Sequence, residues 1–380
     1  MESKKPKVLI LTQWYIPAFK AGGPITSVYN LVEALKSDID FWLICGNRDH
    51  GSIEDLDVQS DVWLEESGMH VYYSSNSSLA RKQIKVELTK GNWSKVYLNS
   101  LFSPTWTIYP LLLSRKNDLR CLLAPRGILG AGALQIKSFK KNLFLRLAKT
   151  FNVFSRLEWH ATDDSERDEI ELHFGKGAAI HVIPNLPSKV PVELEHIEGR
   201  DRKSILFLSR ISRKKNLLFI LQRMAEIEEP YELTVIGPSE DKAYELECRE
   251  FAASAGLIVH WKGAMHPADL QNELPKYSLM VLPTLHENYG HVILQAWGHG
   301  LPVLLSENTP WRNLKEQHLG WDISLDAKQL WQEAFKEHFK MPEKELVEWR
   351  IKCHSFVREK NQDRKDVLAY QTLLSGGNES

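Results

Sequence analysis

Cysteine is scarce in this chain of 380 residues, and the four present, Cys45, Cys121, Cys248 and Cys353, are scattered. No C-x-x-C pair occurs, so neither a disulfide framework nor a zinc site is expected, and a reducing compartment fits. Long apolar runs are missing too. The opening Met-Glu-Ser-Lys-Lys-Pro-Lys leads only into Val8–Leu11, which is too short for a signal peptide. No window approaches the roughly 18 apolar residues of a membrane-crossing helix. Neither sign of charge is in excess, with 48 Lys and Arg against 49 Asp and Glu. A dedicated nucleic-acid binder carries a basic surplus, so no nucleic-acid partner is expected. The expected location is cytoplasmic, soluble or peripheral to the cytoplasmic membrane.

What is present is an ordinary globular composition, 43% hydrophobic and 26% charged, which excludes a disordered or fibrous chain. At about 150 residues per domain, the length allows two or three domains. Short apolar runs alternate with helical patterns: Val8–Leu11, Phe41–Ile44, Val71–Tyr73, Val96–Leu98, Cys121–Leu123 and Ile180–Ile183. The stretch 184–202, rich in Pro, Glu and Arg, reads as a linker. The alternation then restarts with Ile205–Leu208, Leu233–Ile236, Ile258–Trp261, Leu279–Leu282 and Val303–Leu305. Strands alternating with helices make parallel sheets. The expectation is therefore an α/β chain of two doubly wound, Rossmann-like domains, 1–187 and 202–352, followed by a segment 353–380 with a further helix. Ligands in such folds sit beyond the carboxyl ends of the strands, and two such domains facing each other would make a cleft.

The loops at those strand ends carry the chemistry. Ser209 to Asn216 follows the first strand of the second half and holds Arg210 and Lys215. Two fixed cations at a helix start suit a phosphate or diphosphate; a solvated basic loop is the plainer alternative. Pro283 to Ala296 contains Glu287, Asn288, Tyr289, Gly290, His291 and Gln295. A helix expected from about Tyr289 would turn the amides of Tyr289, Gly290 and His291 toward an anion, with Glu287 otherwise a cap. On one helix Glu287 and Gln295 would be about 12 Å apart, the two ends of one extended ligand. Gly22 and Gly23, before Pro24, permit close backbone approach to a ligand, or simply punctuate a turn. Arg126 in Pro125-Arg126-Gly127 and His160 after Trp159 are cleft candidates on the acceptor side. Their plainer readings are a surface arginine closing a loop and a buried, satisfied histidine.

The stretch 134–157 holds Lys137, Lys140, Lys141, Arg146, Lys149 and Arg156 and no acidic residue, with Phe139, Leu143, Leu147 and Phe151 at helical spacing. The apolar stripe is expected to pack on the sheet, and residues 137–156 to offer lysines to an anionic inner-leaflet surface. Asp163-Asp164 reads as a helix start, not a metal motif. No P-loop, H-E-x-x-H, G-x-S-x-G or dinucleotide fingerprint is present.

Together these residues resemble glycosyltransferase family 4, the retaining glycosyltransferases of GT-B fold. The resemblance covers nearly the whole chain. It rests on Gly22-Gly23-Pro24, Pro125-Arg126-Gly127, Val182–Asn185, the Arg210 and Lys215 pair, Val235-Ile236-Gly237, Trp261-Lys262-Gly263, Glu287–Ala296 and Gly300–Val303. The stretch 307–322, with Thr309-Pro310-Trp311-Arg312, resembles a bacterial subgroup that builds surface polysaccharides. The resemblance implies a retaining, metal-independent transfer with no cofactor beyond a nucleotide-sugar co-substrate. The donor, a UDP-sugar in preference to a GDP-sugar, would bind the second domain, and a saccharide or lipid-linked saccharide acceptor the first. Arg210 and Lys215 would hold the diphosphate, Glu287 the hydroxyls of the transferred sugar, and the Tyr289, Gly290 and His291 amides sugar or phosphate. Gly22 and Gly23 would approach those phosphates from the first domain. Trp261 to Met265, with Gly263, would flank the base, and the last helix would cross back to the first domain.

Two residues depart from the family pattern. The second Glu of the signature is Gln295, which offers one acceptor oxygen where a carboxylate offers two, so weaker donor binding is expected. Arg126 stands where many members have His; permanently charged, it cannot act as a base and is expected to bind an acceptor phosphate. The alternative reading is a weak or inactive homologue that binds a nucleotide sugar or a partner, and Gln295 is its support. An epimerase or a phosphorylase on the same twin plan stays open beside it.

Overall fold

The computed structural model describes residues 5–114, 119–130, 144–145, 148, 153–154, 157–194, 197–228 and 231–376. The chain forms two α/β units, residues 1–186 with 364–380, and residues 187–363. The basic residues Lys137, Lys140, Lys141, Arg146, Lys149 and Arg156 lie outside the described residues. None of the described helices is long and apolar enough to cross a membrane.

The first unit is built on strands β1 (Lys7–Leu11), β2 (Asp40–Gly46), β3 (Trp63–Glu66), β4 (Met69–Ser74), β5 (Lys95–Asn99), β6 (Cys121–Ala124), β7 (Leu157–Ala161) and β8 (Ala179–Val182). They lie in the order β3-β4-β2-β1-β5-β6-β7-β8. All pairs are parallel except β3 with β4. The central strand β1 is covered on both sides, as a buried parallel strand requires: Val8 and Ile10 pack into one apolar layer, Leu9 and Leu11 into the other. β3 was not evident in the sequence. It is a short hairpin partner of β4, closed at Ser67 and Gly68, which both take positive φ as the favoured two-residue turn demands. β7 was not evident either. Leu157, expected to end a helix, opens this strand. Asp163 caps helix Asp164–Phe174 by accepting from the Glu166 amide at 2.7 Å, as expected.

The second unit holds β9 (Ser204–Leu208), β10 (Glu232–Ile236), β11 (Ile258–Gly263), β12 (Leu279–Leu282), β13 (Val303–Ser306) and β14 (Gly320–Ile323). The order β11-β10-β9-β12-β13-β14 is parallel throughout. Sequence order runs outward in one direction from β9 and in the other from β12, so the topology reverses between these two neighbours. At Gly237, just past β10, a Cβ would fall 1.9 Å from the Ser209 carbonyl oxygen, so only glycine lets the two strand ends close up.

Two expected boundaries shift. Residues 184–202 are no loose linker. Asn185 and Leu186 are buried in the first unit, and Asn30 donates to the Leu186 carbonyl at 2.8 Å. Arg200 is buried in the second unit and donates to the His299 carbonyl at 2.8 Å. Nor does a separate segment begin at 353. Helix Glu343–Gln362 runs through that point and buries Cys353 and Val357 in the second unit's core. The change of unit comes at Asp363, after which helix Lys365–Ser375 packs Tyr370, Leu373 and Leu374 into the first unit.

Candidate donor site at a topological switch point

The reversal of strand order between β9 and β12 leaves a crevice beyond their carboxyl ends, the usual ligand position of an open α/β sheet. The loops that follow these two strands are the ones that carry Arg210, Lys215 and Glu287. They are laced together, with the Lys214 carbonyl accepting from the Leu285 amide at 2.8 Å and from Thr284 Oγ1 at 3.2 Å. Glu287 is fixed from its other side, its amide donating to the Asn308 carbonyl at 2.9 Å.

Lys215 and Glu287, far apart in sequence, form an ion pair between Nζ and Oε2. Both side chains are largely shielded. Burial pushes the Glu287 carboxyl up, but Lys215 outweighs it, with help from Lys214 and Arg210, and the net effect is to hold it below its ordinary range. Lys214 is lowered by burial and by the neighbouring Lys215 ammonium. Arg210 meets Glu240 at 3.1 Å. Arg213 serves elsewhere, pairing with Glu247 at 3.0 Å and lying over the Tyr244 ring. Three cations, Arg210, Lys214 and Lys215, therefore stand against two carboxylates, Glu240 and Glu287.

The helix beside them starts later than expected. It spans His291–Gly298, and Gly290 precedes it with φ of 78°. A Cβ there would come within 2.6 Å of Ile293 Cδ1 and 3.3 Å of Glu287 Cγ, so glycine is required twice over. Of Glu287 and Gln295, only Gln295 stands on the helix. Glu287 lies on the loop, and the 12 Å helical spacing between them does not apply. Asn288 is partly exposed and Tyr289 nearly buried. The Tyr289 carbonyl is held by Trp311 Nε1 at 2.7 Å. The first amides of the helix point along its axis toward the loop, the polarity an anion prefers. Lys215 sits in the 3-10 turn Arg213–Lys215, one step before helix Leu217–Met224.

On the other flank, β11 ends at Gly263, with φ of 69° and its carbonyl accepting from the Gly237 amide at 2.8 Å. Met265 is partly exposed beside it, and Arg249 lies 4.3 Å over the Trp261 ring.

The first-unit candidates divide. Gly22 takes φ of 69° before helix Gly23–Leu35, and the space where its Cβ would be is open. Arg126 is partly exposed and held largely by partners of its own unit. Its guanidinium donates from Nη2 to Asn99 Oδ1 at 2.8 Å and Tyr97 Oη at 3.0 Å, from Nε to Asn99 Oδ1 at 3.2 Å and from Nη1 to Asn185 Oδ1, so four of its five N–H donors are engaged within the unit. His160 is fully buried. It contacts Tyr97 Oη at 2.7 Å through Nδ1, and the Ile183 carbonyl at 2.8 Å and Tyr370 Oη at 3.0 Å through Nε2. Burial, with Arg126 adding, pushes it down to about 3. It is a neutral core histidine and not an acceptor ligand. The pairings of Arg126 with its holders, of Arg210 with Glu240 and of Trp311 with the Tyr289 carbonyl were not legible in the sequence, because no local spacing marks them.

The family model described as glycosyl transferases group 1 matches residues 202–331. No curated protein matches the chain in sequence. Among solved structures, the chain is similar to HepE of Anabaena in complex with UDP and glucose, with TM-score 0.69 and 14% identity over 97% of this chain and 98% of that one. Sucrose-phosphate synthase of Thermosynechococcus elongatus gives TM-score 0.69 and 16% identity over 97% and 98%. WaaG, a glycosyltransferase involved in lipopolysaccharide biosynthesis, gives 0.66 and 12% over 98% and 100%. At these identities the likeness shows the fold. Residues 202–331 match the glycosyl transferases group 1 model, and the chain has the GT-B fold of these structures.

Proposed function

We propose that this protein is a retaining glycosyltransferase. It moves a sugar from a nucleotide diphosphate sugar, UDP-linked in preference to GDP-linked, to a saccharide or lipid-linked saccharide acceptor. The observation that carries the reading is the Lys215–Glu287 ion pair at the switch point of the second sheet, with Arg210 and Lys214 close enough to act on the Glu287 carboxyl.

The transfer breaks the bond between C1 of the sugar and the diphosphate oxygen. An acceptor hydroxyl oxygen then bonds C1 from the same face, and its proton passes to the departing phosphate. Negative charge builds on the diphosphate as the bond breaks. Arg210, Lys215 and the first amides of helix His291–Gly298 are positioned to receive it, fixed before the reaction. In this reading the charge is neutralised without a metal, and addition of a chelator leaves the rate unchanged. Glu287, kept ionised by Lys215, accepts hydrogen bonds from the sugar hydroxyls. Gln295 reaches the ribose with one acceptor and one donor.

The UDP preference is supported by the similarity to HepE, whose structure holds UDP and glucose. A place in bacterial surface-polysaccharide synthesis is supported by the similarity to WaaG and by the stretch 307–322. The test is incubation with UDP-sugars and saccharide acceptors, following UDP release and the anomeric configuration of the product by NMR. A product that keeps the donor's configuration is expected. An inverted product would overturn the retaining assignment, and binding of UDP without any transfer would favour the non-catalytic reading.

A further inference from the structure

Three tiers of polar side chains cross one face of the first unit's sheet. Lys95, Tyr97 and Asn99 alternate along β5 and so point the same way. At the carboxyl end Asn99 holds Arg126, and in the middle Tyr97 holds His160; both tiers are closed by partners of their own unit.

The amino-end tier opens onto space. Lys95 is almost wholly buried, a costly position for an ammonium unless it is compensated. Its Nζ donates to Glu158 Oε1 at 2.7 Å, and His181 Nε2 lies 2.9 Å from Glu158 Oε2. The hydrogen bond from His181 holds the Glu158 carboxyl down at about 2, against burial and with Lys95 adding to it. These three side chains border a cavity of about 690 Å³ between β5–β8 and helix Lys365–Ser375. That volume is in the range of small-molecule sites. Arg120 stands at its edge, exposed, with one nitrogen donating to the Gly376 carbonyl at 3.2 Å. Ile180, Val182 and Leu373 supply an apolar wall.

The charges at the cavity do not cancel. Lys95 and Arg120 stand against Glu158 alone, and both Glu158 oxygens are spent on Lys95 and His181. One positive charge is left over. A phosphate monoester carries about −1.5 to −2 near neutral pH and presents three acceptor oxygens. We propose that this cavity binds a small, soluble phosphate monoester. Its phosphate would meet Arg120 and His181, with Lys95 compensating beneath, and its carbon skeleton would lie on Ile180, Val182 and Leu373. The cavity is at the amino ends of β5–β7, away from the carboxyl-end loops where substrates of such sheets ordinarily bind. It is therefore a second site, independent of the donor assignment. Because Ala369, Thr372 and Leu373 also line it, an occupant would fasten the last helix to the sheet.

Calorimetric titration of the full chain with glycerol 3-phosphate and with inorganic phosphate tests this, alongside the shift in Tm. Saturable binding of glycerol 3-phosphate with a raised Tm is expected. It should persist in Lys215→Ala and weaken about tenfold or more in Arg120→Ala, which removes a charge-assisted contact. Arg120 is exposed, so that variant keeps its fold, and His181→Gln gives a second reading of the same loss. The proposal fails if neither probe binds saturably. It also fails if binding disappears in Lys215→Ala and is unchanged in Arg120→Ala. Capture on phosphatidic acid vesicles that Arg120→Ala abolishes, without binding of glycerol 3-phosphate, would replace the soluble ester with a lipid headgroup and overturn the proposal.

Discussion

Arg126 in the first unit and Lys215 in the second both follow strands at the carboxyl ends of their sheets, yet they face opposite situations. Arg126 is met by two asparagines and a tyrosine that take four of its five N–H donors. Lys215 is met by one carboxylate, with Arg210 and Lys214 adding further positive charge nearby. A cation supplied with neutral acceptors is a structural tie; three cations set against two carboxylates, Glu240 and Glu287, leave charge for a ligand to answer. The contrast separates residues that the sequence presents alike.

The sharpest break of that contrast is Lys215→Ala. It should lower kcat about a hundredfold or more, as loss of one preorganised donor to a developing anion does. A rate within about threefold of wild type would remove Lys215 from the mechanism. Arg126→Ala should act on the other side of the comparison. Losing its hydrogen bonds to Asn99, Tyr97 and Asn185 should cost about 2 kcal/mol or more in urea unfolding, with kcat of the folded enzyme nearly unchanged. A large kcat loss at full stability would return Arg126 to the site.

The buried histidines sharpen the point through pH. Burial pushes His160 and His338 down to about 3, below the unfolded value of about 6.5. Between those values the unfolded chain binds more protons than the folded one. Each histidine's contribution is complete above about 6.5 and is lost as pH falls toward 3, by up to about 1.4 kcal/mol per pH unit. Chemical unfolding at pH 7 and pH 5 should show that loss, shallower in His160→Gln. The smallest effect is expected for Gln295→Glu, which would set a carboxylate where the proposed reading puts the ribose. It should tighten nucleotide binding about fivefold, and unchanged affinity would take Gln295 out of the donor site.

The doubly wound plan was legible because buried parallel strands are short apolar runs, as in Val8–Leu11 and Leu279–Leu282. The strands that escaped are those whose signal is mixed. Trp63–Glu66 is a polar edge hairpin, and Leu157–Ala161 carries Glu158 and His160 amid its apolar residues. The loops of the candidate site could be read from their place after strands and from residue type. Their pairing could not, since the Lys215 to Glu287 contact depends on β9 and β12 being neighbours. His160 and Arg126 misled because a polar residue after a strand looks the same whether solvent or an internal partner awaits it. The holders, Tyr97, Asn99, Asn185 and Tyr370, come from four separate parts of the chain.

The central claim is that the switch point between β9 and β12 holds a nucleotide diphosphate. Calorimetric titration with UDP, GDP and ADP, on wild type, Arg210→Ala and Arg126→Ala, tests it most directly. The account predicts UDP binding at about micromolar affinity, lost in Arg210→Ala and kept in Arg126→Ala. No binding of any of the three nucleotides, or equal binding by wild type and Arg210→Ala, would contradict it.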